Sequence, residues 1–113
     1  MSETQIQEIE LDIEAAREFI ERGEALDRLR ENKDFKLIIM DGYFRDEAVR
    51  NVQLKSTYQF RDAESQELIT KAIDGIGALH TFFQTVDFQA SEAGQAIRAS
   101  EEEIEDIENG FGE

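Results

Sequence analysis

The sequence predicts an all-α fold, either a helical hairpin or a small three- to four-helix bundle with a long C-terminal amphipathic helix. Three observations predict it. The 113 residues include no proline and only seven glycines, so obligatory breaks are scarce and long helices are favoured over a strand-rich fold with many tight turns. Apolar residues recur at alternating spacings of three and four, the period of one face of an α-helix. Charged residues make up 35% of the chain and occupy the other faces, as solvated helix surfaces require.

Taken in order, Ile6, Ile9, Ile13, Ala16 and Ile20, with Phe19 beside them, predict an amphipathic helix from about Thr4 to Arg22. Gly23 is expected to end or bend it, and Ala25, Leu26 and Leu29 carry helix on to about Arg30. Asn32 and Asp34 supply stop and start chemistry, with Asp34 the expected N-cap. Phe35 to Met40 is ambiguous, because a short apolar run suits a buried strand or a turn and a half of buried helix; helix is the preferred reading. Asp41-Gly42 fits either a hairpin turn or a helix C-cap. The following residues do not alternate as a second hairpin strand should. Phe44, Ala48 and Val52 instead repeat every four residues, with Val49 adjoining.

The strongest signal starts near Asp62. Ile69, Ala72, Ile76, Leu79, Phe83, Val86, Ala90, Ala93, Ile97, Ser100, Ile104, Ile107 and Phe111 keep a 3-4-3-4 register without a slip. A continuous helix of about forty residues would run roughly 60 Å. It is therefore expected either to break near Gln89 to Gly94 and fold back, or to project and need a partner. The whole chain is expected to form one helical domain, residues 1–113, with an acidic C-terminal extension from about residue 99.

The formal charge of −15 is unevenly distributed. Residues 1–16 hold five acids and no bases, residues 17–61 nine acids and ten bases, and residues 62–113 thirteen acids against Lys71 and Arg98. Such a surface repels itself, disfavours direct contact with nucleic acid or anionic membrane, and leaves basic partners open. The polar, acidic start lacks the basic and apolar regions of a secretory signal, and no run reaches the ~18 apolar residues of a membrane span. A chain without cysteine has neither disulfides nor thiolate metal sites.

No catalytic constellation is visible, and the expectation is a protein that is not an enzyme and uses no cofactor or metal. His80, the one histidine, has no acid or metal partner beside it in sequence and reads as a helix residue. Gly75-Ile76-Gly77 is not a phosphate loop, since no GK[ST] follows it. Glu101, Glu102, Glu103, Glu105, Asp106 and Glu108 form the densest carboxylate cluster; the pairs 101/105 and 102/106 would share helix faces, but no EF-hand loop or Glu-x-x-His accompanies them. A solvated face is the ordinary explanation and an acidic docking surface for a basic protein the functional one. Mimicry of DNA phosphates belongs with the second. Phe82, Phe83 and Phe88, and separately Tyr43, Phe44, Tyr58 and Phe60, form two aromatic zones that read first as core. Phe82 and Phe88 become contact candidates if they fall off the buried stripe. Arg45, Arg50, Lys55 and Arg61 are candidates for a small basic strip near Tyr58.

Asp34-Phe35-Lys36 through Gly42-Tyr43-Phe44 and Glu47-Ala48-Val49-Arg50, taken with Ile73-Asp74-Gly75-Ile76-Gly77-Ala78-Leu79 through Phe82-Phe83-Gln84-Thr85-Val86, resemble a group of small, largely uncharacterised tailed-bacteriophage proteins. The similarity covers roughly residues 26–97. It implies a phage origin, placement in the host cytoplasm or the virion, and a structural, assembly or accessory role, and it carries no functional residues. The expected mechanism is helix packing through Ile69, Ile76, Leu79, Phe83 and Val86, as a homo-oligomer or against a phage or host protein, with the acidic residues 101–108 docking or preventing premature association. The alternative is an acidic DNA mimic that inhibits a host nucleic-acid-binding protein.

Overall fold

The computed structural model describes residues 2–110, and the described chain is all-α. Helix α1 spans Ser2–Glu31 and runs through Gly23 without a stop. A break follows at Asn32, whose backbone is extended and whose Oδ1 accepts a hydrogen bond from the Phe35 amide at 2.9 Å. Asn32 is therefore the cap, and Asp34 lies in the first turn of α2 (Lys33–Phe35), where a carboxylate suits the positive end of the helix dipole.

The ambiguous run at residues 35–40 is helical, but it is wound more widely than an α-helix. Lys36–Glu47 form a π-helix, with i→i+5 hydrogen bonding, that passes into α3 (Ala48–Lys55) with helical dihedrals on both sides of each junction. Most π segments are single turns, so twelve residues is a long one. Residues 39–44 are all half-buried, followed by Glu47 and Ala48, a wider inward-facing surface than one α-helical stripe provides. The wider turn is compatible with that broad half-buried run. Asp41-Gly42 accordingly makes neither a hairpin turn nor a C-cap. Once α3 resumes the tighter period, the inward position after Ala48 is Asn51, which is buried, while Val49 and Val52 are exposed.

Thr57 breaks the chain again, a single 3-10 turn covers Tyr58–Phe60, and α4 follows as Ala63–Glu108. Asp62 caps α4, its Oδ2 accepting from the Ser65 amide at 2.9 Å. Gln66 then reaches back over the connection, its side-chain amide donating to the carbonyls of Lys55 at 3.0 Å and Phe60 at 2.6 Å. That bond occupies a carbonyl the end of α3 leaves open.

Helix α4 shows no break between Gln89 and Gly94. The predicted stripe along it is buried or half-buried from Ile69 to Ile107, with one exception: Ala72 is exposed and the larger Ile73 turns inward in its place. Phe111 lies outside the described residues.

The contacts gather into two compact units. Unit 1 joins residues 1–25 to 85–113, and unit 2 is residues 26–84. Residues 101–108 thus belong to a helix of unit 1, with Ile104 and Ile107 half-buried among the carboxylates. In unit 2 the segment Lys33–Lys55 runs antiparallel to the first part of α4. Lys55 meets Thr70, Tyr43 approaches Gly75, Phe44 touches His80 and Phe35 touches Phe83.

Candidate functional site

Unit 1 is an antiparallel helix pair with a core of small residues. Ile13, Gly23, Val86 and Ala93 are buried, and Ala16, Phe19, Ile20, Ala90, Gly94 and Ile97 are half-buried. A Cβ placed on Gly23 would stand 2.5 Å from the Ala90 methyl, so the two backbones meet there at a distance only glycine permits. Small side chains bring the axes together, and they also leave the larger neighbours standing above the seam. A trough of about 400 Å³ results, lined by Ala15, Ala16 and Phe19 of α1 and by Phe88, Gln89, Glu92, Ala93 and Ala96 of α4. Phe88 is 63% exposed, although a free aromatic ring gains by burial. The Arg22 guanidinium lies 5.5 Å from the Phe19 ring centroid, a cation–π contact at one end of the apolar surface.

The charge of the molecule is concentrated in unit 1. Residues 1–25 and 85–113 carry seventeen carboxylates and three cations, a net −14, whereas residues 26–84 carry ten carboxylates and nine cations, a net −1. Glu101, Glu102, Glu103, Glu105, Asp106 and Glu108 are all exposed on α4. Among the described residues no group of three or more histidine, aspartate or glutamate side chains is placed to hold a metal ion.

The residues expected to pack against another copy or another protein lie along α4. Ile69, Ile76 and Val86 are buried, Leu79 and Phe83 half-buried, all inside the single chain. Phe83 makes an edge-on contact with Phe44 at 5.4 Å and a tilted one with Phe35 at 6.0 Å.

In unit 2 the aromatic residues divide differently from their order in sequence. Tyr43 and Phe44 join Phe82 and Phe83, whereas Tyr58 is 88% exposed and Phe88 belongs to unit 1. His80 is exposed with its ring edge-on to Phe44 at 5.3 Å.

Of the four cations of the expected basic strip, Arg45 and Arg50 pair with neighbouring carboxylates and Lys55 meets a hydroxyl. Arg45 lies 3.0 Å from Asp46 and 3.9 Å from Asp41, and Lys55 donates to the Thr70 hydroxyl at 3.4 Å. Arg50 grips Glu47 with two guanidinium nitrogens, and the buried Asn51 amide donates to the Glu47 carbonyl at 2.8 Å and its carboxylate at 3.1 Å. The Arg50 hydrogen bond holds the Glu47 carboxyl below its ordinary pKa, and that of Arg50 rises in return.

Asn51 and the trough both escaped sequence reading. Asn51 stands three residues after the half-buried Ala48, an ordinary α-helical step, but its polar side chain hid that inward position from a reading by apolar period. The trough had a legible signal: Ala15 and Phe19, and Phe88, Glu92 and Ala96, are spaced four apart on one face of each helix. That the two faces adjoin is a tertiary fact. No described helix is long and apolar enough to cross a membrane. Comparisons with protein-family models, with curated proteins and with solved structures each find no match.

Proposed function

We propose that this protein is a non-enzymatic structural, assembly or accessory component, of the tailed-phage kind that its central residues resemble, acting by presenting helical surfaces to another protein. The observation carrying this reading is the sorting of charge. A net −14 sits on a two-helix unit that also leaves Phe88 and Leu11 exposed, whereas the other unit is nearly neutral and accounts for most of the cations. Exposed aromatic surface within a one-signed field is a common form of recognition surface, combining apolar anchoring with steering of an oppositely charged partner. The host cytoplasm or the virion is where such a protein would work.

Photo-crosslinking of the full chain in producing cells tests the proposal. A photoreactive residue replaces Phe88 in unit 1, Phe82 in unit 2, or Leu11, all exposed positions. The expected result is a discrete protein adduct from at least one of them. Uniform absence of adducts at all three sinks the reading.

The exposed row from Glu101 to Glu108 favours a second reading, the DNA mimic, in which carboxylates occupy a phosphate-binding groove. It requires an adduct with a nucleic-acid-binding protein that DNA displaces in a salt-sensitive way. Replacement of Glu101, Glu102, Glu103 and Glu105 by glutamine should then weaken binding strongly; unchanged affinity rejects the mimic.

A further inference from the structure

We infer that the trough of unit 1 is the docking site for a basic amphipathic helix of a partner protein, a deeper statement of the interaction role proposed above and dependent on it. The floor is apolar and narrow, formed by Ala15, Ala16, Ala93 and Ala96, and the exposed Phe88 ring stands beside it. A groove between two antiparallel helices accepts a third helix through anchors at i, i+3 or i+4, and i+7. Alanines on the floor leave room for the partner's larger side chains.

Charge selects the occupant. Glu92 lines the trough itself. At four-residue steps from Ala16, the same face of α1 presents Asp12 and Glu8; beyond Ala96 the face of α4 presents Ala99 and then Glu103, all exposed. A helix lying in the trough therefore meets Glu92 in its wall and carboxylates of both helices toward the Glu8 and Glu103 end, against Arg22 beside Phe19 and Arg98 near Gly94, so that lysine or arginine flanking its apolar stripe meets a predominantly acidic surround. A second copy of unit 1 brings another −14 to the contact, and nucleic acid or an acidic peptide brings charge of the same sign. A cationic helix is the occupant whose electrostatics and shape both agree with the site.

Fluorescence anisotropy with the full chain tests this. The probe is a labelled leucine/lysine amphipathic peptide of about 18 residues, roughly 27 Å as a helix. Two comparison peptides share its length: one with glutamate in place of lysine, and one with the same leucines and lysines scrambled to remove the apolar face. Binding is expected only for the first, weakening at least about tenfold on Phe88→Ala or Ala96→Gln and falling as salt rises. Both positions are exposed, so circular dichroism should show an unchanged fold, and Phe82→Ala in unit 2 should bind as the wild type does.

Equal binding of the scrambled peptide would reduce the attraction to bulk charge and overturn the proposal. So would indifference to both trough substitutions, or light scattering that shows a dimer dissociated by Ala96→Gln, which would make the occupant a second copy. Failure here alongside adducts at Leu11 or Phe82 would remove this docking site only; failure at every photo-crosslinking position would remove the interaction role itself.

Discussion

Gly23 shows how a residue's meaning depends on what faces it. By helix propensity alone, alanine would improve this position in the middle of α1 by about 1 kcal/mol. The Ala90 methyl lies 2.5 Å from where the added carbon would be, and overpacking of that kind costs about 1–3 kcal/mol. Gly23→Ala is therefore expected to destabilise the protein by about 1 kcal/mol net in urea denaturation. Ala90→Gly in the same chain should relieve the clash, so the double-mutant cycle shows favourable coupling between the two changes. A Gly23→Ala protein more stable than wild type would mean that the backbones can move apart there at little cost. Gly23 was expected to end or bend the helix and does not end it, because local propensity registers the missing side chain without the neighbour that requires its absence. Ala72 and Ile73 differ in a related way: strict register favours Ala72, but the larger apolar side chain gains more by turning inward.

At the scale of elements, the 3-4 stripe was legible because burial of a long helix leaves a period in its sequence, and from Ile69 to Ile107 that period holds except at Ala72. The π-helix was not, since its four-residue repeat at Phe44 and Ala48 looks locally like one edge of an α-helical face. Caps lie between these cases. Both Asn32 and Asp62 carry acceptors suited to an N-cap, and only the backbone decides which side chain reaches an amide. Asp62 has its carboxyl pKa held below the ordinary value by the Ser65 amide, and Glu47 by Arg50. A depressed folded-state pKa contributes stability that is fully present above the unfolded value and is lost as pH falls through the folded one. Acidification through about pH 4 and below should thus fray the start of α4, read as faster amide exchange at Ser65 and Gln66. Asp62→Asn keeps an acceptor that does not titrate and should flatten this dependence. Identical acid profiles for Asp62→Asn and wild type would place the sensitivity elsewhere, with Glu47 the next group to replace.

Across the whole molecule, the sequence shows two acidic ends, and the fold places both in unit 1. Charge alone argues against that pairing, which is why it could not be read in advance. It is held by close contact of Gly23 with Ala90 and by burial of Ile13, Val86 and Ala93. Each like-charge contact across helix surfaces costs a few tenths of a kcal/mol, so several together oppose the pairing by about 1–2 kcal/mol at low ionic strength. Raising salt from about 0.01 M to about 1 M shortens the screening length from about 30 Å to about 3 Å. Stability in urea should rise by a similar 1–2 kcal/mol, and the gain should be uneven. Amide exchange should slow in residues 4–25 and 85–108 more than in residues 33–84, where cations and acids nearly balance. A uniform gain over both units would point to general salting effects on apolar burial, whereas a gain confined to unit 1 identifies repulsion between its helices as the quantity relieved. The same repulsion is what a basic helix in the trough would neutralise, so low salt should be the condition in which such a ligand stabilises the protein most.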